Sequence, residues 1–504
     1  MKIDLLQIKG LGALLKSPWF WRLCRIFLLA ILLLMIGYGW HQHAIPGVAA
    51  ADPLMYTNLA TYGLWVLWLM GVVFVALLFG RLWCAFCPLG WLNGIISRSG
   101  LKRTLPGWLQ NQYPVTLTLI VLQLAVYWLS IHRFPDYSAV LMATAIGLVI
   151  SSGLLFRQRA FCSLFCPAGA VMALYARIAP FQLRVGQQAV CDSCDSRQCV
   201  SEEPSWRRFE WGRGILFWNS LRPGCPIDLH PQQLTDDAGC TLCMQCVDNC
   251  AHHNLQLGFR PWLAELGQKG LNRSETLFVV VLLGMLTASF SKVNISLREV
   301  LFWLPQQAAV ALGWQTPGYA LLAAIWVTLI LPLLLLLPGL ILFKLRHLRE
   351  STLPAKTGTT DLENSLPLKP SSDSSWTALG QLLLPFIPLL LTVHLILALV
   401  KLNTKGAYLP LVLQDPTGVQ SYLAMQITQT VAQPTALLPL EILKWLALAI
   451  LLFGYLFSLL AARKIANRLL SDRAVQFYFW ASVVGVSIPA VLYTDTLIRW
   501  LFVR

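Results

Sequence analysis

The sequence Cys240-Thr-Leu-Cys243-Met-Gln-Cys246-Val-Asp-Asn-Cys250 contains four cysteines that are separated by two, two and three residues. Gaps of two residues form a short loop that can place three thiolates on three corners of an iron–sulfur cube. The fourth cysteine of such a run usually binds a different cluster. The spacing therefore predicts iron–sulfur ligation, and it requires a second group of cysteines elsewhere in the chain.

The second group lies upstream, between residues 191 and 225. Three of its cysteines are separated by two and four residues, and the fourth is followed directly by Pro226. In two-cluster ferredoxins the halves exchange their fourth ligands, which divides the eight thiolates into two sets. The predicted ligands of [4Fe–4S] cluster 1 are Cys191, Cys194, Cys199 and Cys250, and those of [4Fe–4S] cluster 2 are Cys225, Cys240, Cys243 and Cys246.

Zinc is the main alternative to iron–sulfur at these cysteines, because pairs of CxxC motifs also form tetrahedral zinc sites. A zinc ion needs two such pairs and has no use for a third cysteine at the same short spacing. The run from Cys240 to Cys250 therefore favours iron–sulfur clusters.

The composition indicates a membrane protein. Of the 504 residues, 57% are hydrophobic and 12% are charged, whereas a soluble domain carries about 25% charged residues. A helix of about 20 apolar residues crosses the hydrocarbon core. Nine apolar runs are candidates: 20–40, 61–80, 114–132, 138–156, 275–291, 318–343, 377–400, 437–461 and 476–502. The predicted fold is a polytopic all-α membrane protein of about eight or nine transmembrane helices, with a cytoplasmic, two-cluster, ferredoxin-like α+β segment.

The net charge of +15 comes mainly from basic residues at the ends of apolar runs. Lys and Arg are concentrated in 98–103, 157–213, 344–356 and 463–473, which the alternation of spans places on one side. The positive-inside rule puts this side in the cytoplasm. The prediction is a bacterial inner-membrane protein with its clusters on the cytoplasmic side, where disulfides are not expected. No nucleic-acid recognition motif accompanies the charge, so a nucleic acid is not a predicted partner.

Three domains follow from these patterns. Residues 1–184 are predicted to form a four-helix membrane domain, 185–262 the ferredoxin-like domain, and 263–504 a C-terminal membrane domain of four to five helices. The stretch near 351–375 is rich in Ser, Pro and Lys and is predicted to be a linker.

Two segments, Cys84-Ala-Phe-Cys87-Pro88 and Cys162-Ser-Leu-Phe-Cys166-Pro167, look like copies of one unit at the ends of the second and fourth spans. Each proline favours the start of a helix, because its missing N–H costs nothing at the first helical position. The dipole of that helix is expected to lower the pKa of the preceding thiol. The four thiols could ligate a third metal centre, act as two reactive dithiols, or pack as small apolar groups.

These two motifs and the ferredoxin cysteines resemble the membrane-bound polyferredoxins of the NapH and NosR kind, over roughly residues 15–262. The resemblance implies electron transfer between the quinone pool, or a partner dehydrogenase, and periplasmic reductases. The first motif is one residue shorter than the usual pair of that family. In addition, 25 residues separate Cys199 from Cys225, and residues 275–504 have no counterpart. The physiological acceptor is therefore not implied.

Three functions compete on this basis. The leading hypothesis is a quinol-linked oxidoreductase subunit that relays electrons between the quinone pool or a cytoplasmic donor and a respiratory or periplasmic redox partner protein. One alternative is a metal or thiol reductase that assists the assembly of a respiratory enzyme. The other is a transporter with structural cysteine sites, although no paired intramembrane charges mark a transport path.

His394 is the candidate quinone ligand. It lies in the middle of an otherwise apolar span, and ionisable groups inside a membrane are functional candidates by default. Its side chain could donate a hydrogen bond to a quinone head group, or it could bond to a carbonyl of a neighbouring helix. Membrane lipid and the quinone pool are accordingly expected partners.

Overall fold

A computed structural model of the chain describes residues 4–502, apart from 196, 201–202, 212–213, 223, 228, 235, 293, 352–373 and 470–471. The described residues are mostly helical, as predicted, and include two antiparallel pairs of strands. Residues 352–373 of the predicted linker lie outside the described part of the chain.

Helices account for most of the elements, and the strands are few and short. In chain order, the first twelve helices are α1 (Leu11–Lys16), α2 (Pro18–Gly39), α3 (Leu59–Tyr62), α4 (Leu69–Phe79), α5 (Leu82–Phe86), α6 (Pro88–Ser99), α7 (Tyr113–Trp128), α8 (Pro135–Leu155), α9 (Ala160–Leu164), α10 (Pro167–Ala176), α11 (Gln188–Asp192) and α12 (Gln245–Asn249). The others are α13 (Arg273–Ser291), α14 (Ile295–Ala311), α15 (Thr316–Ile325), α16 (Leu331–Ser351), α17 (Ser374–Leu383), α18 (Phe386–Lys405), α19 (Leu409–Gln414), α20 (Val419–Gln426), α21 (Leu440–Leu469) and α22 (Asp472–Phe502). The strands are β1 (Phe181–Val185), β2 (Glu203–Trp211), β3 (Gly214–Arg222) and β4 (Leu255–Phe259). A π-helical turn at Gly63–Trp68 joins α3 to α4, and another at Trp326–Ile330 joins α15 to α16.

Within the described ranges, eight helical segments are long and apolar enough to cross a membrane: Pro18–Gly39, Leu59–Phe79, Pro135–Leu155, Arg273–Ser291, Gly318–Phe343, Phe386–Gln414, Leu440–Arg468 and Gln476–Trp500. They correspond to eight of the nine predicted spans. The ninth, at 114–132, contains α7, whose 16 residues are fewer than a full crossing needs. No span is predicted for α14, because its polar residues and Pro305 interrupt the apolar run.

The described residues form two compact units. Unit 1 comprises Met1–Gln110, Ser130–Glu265 and Thr404–Ala436, and unit 2 comprises Asn111–Leu129, Leu266–Asn403 and Leu437–Arg504. Unit 1 therefore contains both cysteine–proline motifs and the whole ferredoxin-like segment. Its third part comes from the C-terminal half of the chain.

In unit 1, strands β1 and β4 pair antiparallel, from Phe181 opposite Phe259 to Val185 opposite Leu255. All eight ferredoxin cysteines lie between these two strands along the chain. Strands β2 and β3 form a second antiparallel pair within the insertion that separates Cys199 from Cys225. The sheet that frames the cysteines thus begins at Phe181, and the insertion adds a hairpin of its own.

A buried apolar cluster connects the apolar helices of unit 1 to this sheet. It includes Trp21 of α2, Ala85 of α5, Leu183 of β1, Leu242 of the cysteine loop and Leu257 of β4. These five side chains are at most 4% exposed. Burial of apolar side chains on this scale stabilises by about 1.5–3 kcal/mol for each large one, so the cluster holds the cysteine loop against α2 and α5.

The segment Thr404–Ala436 packs on the start of the second span. The Asn58 side chain donates hydrogen bonds to the carbonyl oxygens of Tyr38 at 3.1 Å and Thr417 at 2.9 Å. The backbone N–H of Leu59 donates to the carbonyl oxygen of Pro416 at 2.9 Å. Asn58 is fully buried, and its bonds satisfy polar groups that would otherwise be costly to bury.

Unit 2 is a bundle built around α13, which is buried along most of its length. Its N-terminus has a capping box, in which Asn272 and Glu275 bond reciprocally. Gly284 lies directly against the carbonyl oxygen of Val327 in the second π-helical turn, so any side chain there would collide with it. Thr287 and Tyr493 share a buried hydrogen bond of 2.7 Å that connects α13 to α22.

Candidate metal centres

The two cysteine–proline motifs have the same local structure. In the first, α4 ends at Gly80, α5 carries Cys84, and Cys87 is the N-cap of α6, which begins at Pro88. In the second, α8 is followed by α9 with Cys162, and Cys166 is the N-cap of α10, which begins at Pro167. Each proline occupies the first helical position, as predicted. Gly80 has a φ of +56°, a conformation that glycine adopts at little cost.

The structure brings these four thiols together. A Cβ atom at Gly90, on α6, would lie 3.3 Å from the Cys162 Sγ atom, so the two motifs are in close contact. The charges of Cys84 and Cys87 both raise the pKa of Cys162, and those of Cys162, Cys87 and Cys84 raise that of Cys166. The four thiols are therefore within electrostatic reach of one another.

The helix starts lower the pKa of the preceding thiols, as expected, but burial has a larger and opposite effect. Burial raises the pKa of Cys87, raises that of Cys162 to about 12, and raises that of Cys166 well above its ordinary value. Backbone N–H groups at the helix starts, at Gly90 and Gly169, do lower the pKa of Cys87 and Cys166. Loss of hydration has a larger effect on the pKa than these N–H groups, because bulk water does not stabilise a buried thiolate.

Three arginines surround these thiols. Arg25 is 5% exposed, and its Nε atom donates to the carbonyl oxygen of Ala85 at 2.7 Å. Arg159 is 3% exposed, and its charge lowers the pKa of Cys87 and Cys162. Arg81 hydrogen-bonds Cys84 and donates to the carbonyl oxygen of Ala238 at 2.6 Å. The cations can offset the negative charge of a tetrathiolate site.

The predicted ligands of cluster 2 also lie together. Burial is the main reason that the pKa of Cys240 is raised to about 12, and the charges of Asp237, Cys243 and Cys225 contribute to this rise. Burial likewise raises the pKa of Cys246 well above its ordinary value, with added effects of Cys243, Cys240 and Cys225. Cys199, a predicted ligand of cluster 1, also acts on Cys246, so the two ferredoxin groups are neighbours.

The loop that carries three of these cysteines has an unusual backbone. Leu242 and Met244 have φ values of +51° and +63°, a region that non-glycine residues rarely occupy. Both side chains are buried, at 1% and 4% exposure. Such conformations cost about 1–3 kcal/mol and persist where the surrounding packing determines them. The apolar cluster thus fixes the curvature of the cysteine loop.

The predicted ligands of cluster 1 include residues from both ends of the ferredoxin-like segment. Burial raises the pKa of Cys199, and the charges of Cys250, Cys194 and Cys191 add to this effect. Asn254 donates a backbone hydrogen bond to the Cys250 Sγ atom at 3.4 Å and a side-chain hydrogen bond to the Cys191 Sγ atom at 3.3 Å. The geometry therefore groups Cys250 with Cys191, as the exchange of fourth ligands requires.

Tetrathiolate sets fit [4Fe–4S] clusters, which proteins hold by four cysteines. No three His, Cys, Asp or Glu side chains among the described residues are arranged to hold a single metal ion. A cubane does not need such convergence, because each thiolate binds a different iron at its own corner. The donor chemistry of the three groups is consistent with one cluster in each.

A buried ion network lies beside cluster 2, and the sequence patterns do not reveal it. Arg184 of β1 donates to Asp237 at 2.6 Å, and Arg260 pairs with Asp237 at 3.0 Å. Both arginines also pair with Glu265. Asp237 is 2% exposed, and its charge raises the pKa of Cys240. The four residues lie far apart in the sequence, so no local motif marks them.

His394 lies on α18 in unit 2, whereas all twelve cysteines of the three groups lie in unit 1. The side chain is partly buried among apolar neighbours of its helix. Its role as a quinone ligand stays a prediction.

Comparison with known proteins supports the iron–sulfur interpretation. A family model described as a 4Fe-4S binding domain matches residues 61–106 and 138–186. Each match contains one cysteine–proline motif, and both end before Cys191. The duplicated unit is thus recognised twice. No solved structure was found to match the chain.

Two relatives are informative. The uncharacterized protein MJ0750 of Methanocaldococcus jannaschii is 25% identical over 211 residues, which cover 38% of this chain and 77% of the relative. YccM of Escherichia coli strain K12, whose name gives it a provisional role in electron transport, is 27% identical over 211 residues. That match covers 37% of this chain and 53% of YccM, so the chain spans about half of that relative. With the family match, these similarities support an iron–sulfur electron-transfer role.

Proposed function

We propose that the chain is an integral membrane electron-relay protein that holds three [4Fe–4S] clusters and exchanges electrons with the quinone pool. The observation that carries the proposal is the arrangement of twelve cysteines in unit 1 as three neighbouring sets of four. When bound, such clusters accept and release single electrons. The set Cys84, Cys87, Cys162 and Cys166 would hold the third cluster.

The contacts between the sets support a linear order. Arg25 donates to the carbonyl oxygen of Ala85, between two cysteines of the third set, and its Nη2 atom lies 3.4 Å from the carbonyl oxygen of Cys243 in the cluster 2 loop. Cys246 of cluster 2 in turn neighbours Cys199 of cluster 1. The order third set, cluster 2, cluster 1 would lead electrons between the ends of α4 and α8 and the ferredoxin-like segment.

Quinone as the membrane partner is supported by the eight apolar helices and by the resemblance to polyferredoxins of the NapH and NosR kind. A redox partner protein would exchange electrons with cluster 1 or cluster 2. The thiol-reductase alternative needs thiolates at neutral pH, and the burial of Cys87, Cys162 and Cys166 opposes this.

Iron analysis tests the number of clusters. Anaerobically purified protein should contain about 12 irons per chain, at four per cluster. The variant with Cys84, Cys87, Cys162 and Cys166 changed to Ser should retain about eight, with the paramagnetic signals of the two ferredoxin clusters intact. Cys24→Ser, outside the three sets, is the matched control. Equal iron in the quadruple variant and the wild type would contradict a third cluster.

Quinol reduction tests the partner. Cluster absorbance in membranes should bleach when a short-chain quinol is added, and a quinone-site inhibitor should slow the bleaching. Reduction by dithionite but not by quinol would remove the quinone proposal. A His394→Leu variant tests the binding site alone. Quinol reduction at the wild-type rate would exclude His394 as a quinone ligand but would not exclude quinone as the partner.

A further inference from the structure

Unit 1 contains a cavity of about 560 Å³ beside the cluster 2 ligand Cys225. Residues of α6, the stretch 157–159 after α8, and the chain around Cys225 line it. Its volume is within the range of about 300–1,000 Å³ that is usual for small-molecule sites. Its wall includes Cys225, a predicted ligand of cluster 2, and Arg159, but the functions proposed above assign no ligand to the cavity itself.

The described lining of the cavity is strongly basic. Arg98, Lys102, Arg157 and Arg159 contribute to it, and no described lining residue is an Asp or Glu. Arg159 is 3% exposed, and its Nε atom has no hydrogen-bond partner among the described residues. A buried donor that lacks a partner costs about 1–3 kcal/mol, and an anion in the cavity could accept this hydrogen bond.

The basic residues lie on a frame of two backbone segments, the chain after α6 and the chain at the end of α8, which hydrogen bonds hold together. The backbone N–H groups of Leu101 and Arg103 donate to the carbonyl oxygens of Leu154 and Leu155 at 2.7 and 3.1 Å. These bonds join the chain after α6 to the end of α8. The Arg157 N–H donates to the Arg103 carbonyl oxygen at 2.9 Å, which continues the pairing on either side of Lys102.

A further bond connects this frame to the chain segment around Cys225. The Arg159 N–H donates to the carbonyl oxygen of Pro226 at 3.2 Å, so the cavity wall is joined to the residue that follows Cys225. Side chains on a frame of this kind lose little conformational freedom when they bind a ligand.

We propose that this cavity binds a phosphate-bearing anion. Guanidinium groups form paired, charge-assisted hydrogen bonds with phosphate oxygens, and lysine adds a point charge. Two sources share this chemistry. One is the head group of an anionic phospholipid, which basic pockets between membrane helices bind on the cytoplasmic side. The other is a free phosphate compound.

The test uses the full-length, cluster-loaded protein in detergent, after removal of bound lipid. Native mass spectrometry measures the retention of phosphatidylglycerol and of phosphatidylcholine, and calorimetry measures the binding of inorganic phosphate. The test variant is Arg98→Gln with Arg157→Gln. The matched control is Lys9→Gln with Lys16→Gln, because both lysines are exposed and neither lines the cavity.

The wild type and the control should bind phosphatidylglycerol or inorganic phosphate at least about tenfold more tightly than the test variant, which corresponds to about 1.4 kcal/mol. Selective retention of phosphatidylglycerol without phosphate binding identifies a lipid head group, whereas phosphate binding identifies a soluble anion. Iron content must remain at the wild-type level, which excludes misfolding. The proposal fails if neither phosphatidylglycerol nor inorganic phosphate binds, or if the test and control variants lose binding equally. It also fails if phosphate does not bind and phosphatidylcholine binds as tightly as phosphatidylglycerol.

Discussion

The Nε atom of Arg25 lies 2.7 Å from the carbonyl oxygen of Ala85 and donates a hydrogen bond to it. Arg25 belongs to the first candidate membrane span, and Ala85 lies between two cysteines of the third set. The side chain is 5% exposed, so it has little contact with water. A cation from α2 thus supports the backbone of the proposed third centre.

Replacing Arg25 by Gln should therefore disrupt this centre. The carbonyl oxygen of Ala85 would lose a charged donor, and bonds of this type contribute about 1.5–3 kcal/mol. We expect reduced iron in the third centre, with clusters 1 and 2 retained. Iron analysis and paramagnetic resonance measure both. Arg22→Gln is the control, because Arg22 is an exposed arginine of the same helix. Equal effects of the two substitutions would show that only the charge of the helix matters.

Sequence patterns predicted the local features well. The cysteine spacings predicted the two ferredoxin sets, and the repeated cysteine–proline motif pointed to the third. The structure places the thiols of each set near one another, and their ligation stays a prediction. The prolines at 88 and 167 predicted where α6 and α10 begin. Such features depend on neighbours in the chain, and spacing records them directly.

Features that depend on distant residues were missed. Sequence patterns do not reveal the contacts of Arg25, because its partners Ala85 and Cys243 lie 60 and 218 residues away. The motifs predicted that helix starts lower the thiol pKa values but not the larger, opposite effect of burial, because a motif does not reveal how deeply a thiol is buried. Likewise, residues 404–436 pack on Asn58 through contacts that no periodicity encodes.

Asn254→Leu should lower the reduction potential of cluster 1. Hydrogen bonds to the ligand sulfurs favour the more negative, reduced state, and the Asn254 side chain donates one to Cys191 at 3.3 Å. Loss of about 1.4 kcal/mol corresponds to about 60 mV for one electron. A redox titration followed by paramagnetic resonance should show this shift in one cluster. A shift confined to cluster 2 would contradict the grouping of Cys191 with Cys250.

Asp237→Asn should destabilise the ferredoxin-like segment. Asp237 pairs with both Arg184 and Arg260, and removal of one partner from a buried ion pair costs about 3–5 kcal/mol. The melting temperature and the iron content of cluster 2 should both fall. Asp236→Asn is the control, because among the described residues this adjacent side chain accepts a local backbone bond from Ala238 and forms no ion pair. Melting curves that do not differ between the two variants would rule out a stabilising role of the network.

The thiols of the third set should resist alkylation in the native protein. Iodoacetamide reacts with thiolates, and burial raises the pKa of Cys162 to about 12 and that of Cys166 well above its ordinary value. Each unit of pKa above the ambient pH lowers the thiolate fraction about tenfold, and cluster ligation would protect the sulfurs as well. Peptide mass mapping after labelling at about pH 7.5 should find these two cysteines unmodified, whereas labelling after denaturation and iron removal should modify both.

In protein from which iron has been removed without denaturation, the labelling rate should still rise steeply from about pH 7 to about pH 10, because the neutral thiol is the favoured form over that whole range. A rate that levels off near neutral pH would indicate low-pKa dithiols and would restore the reductase hypothesis.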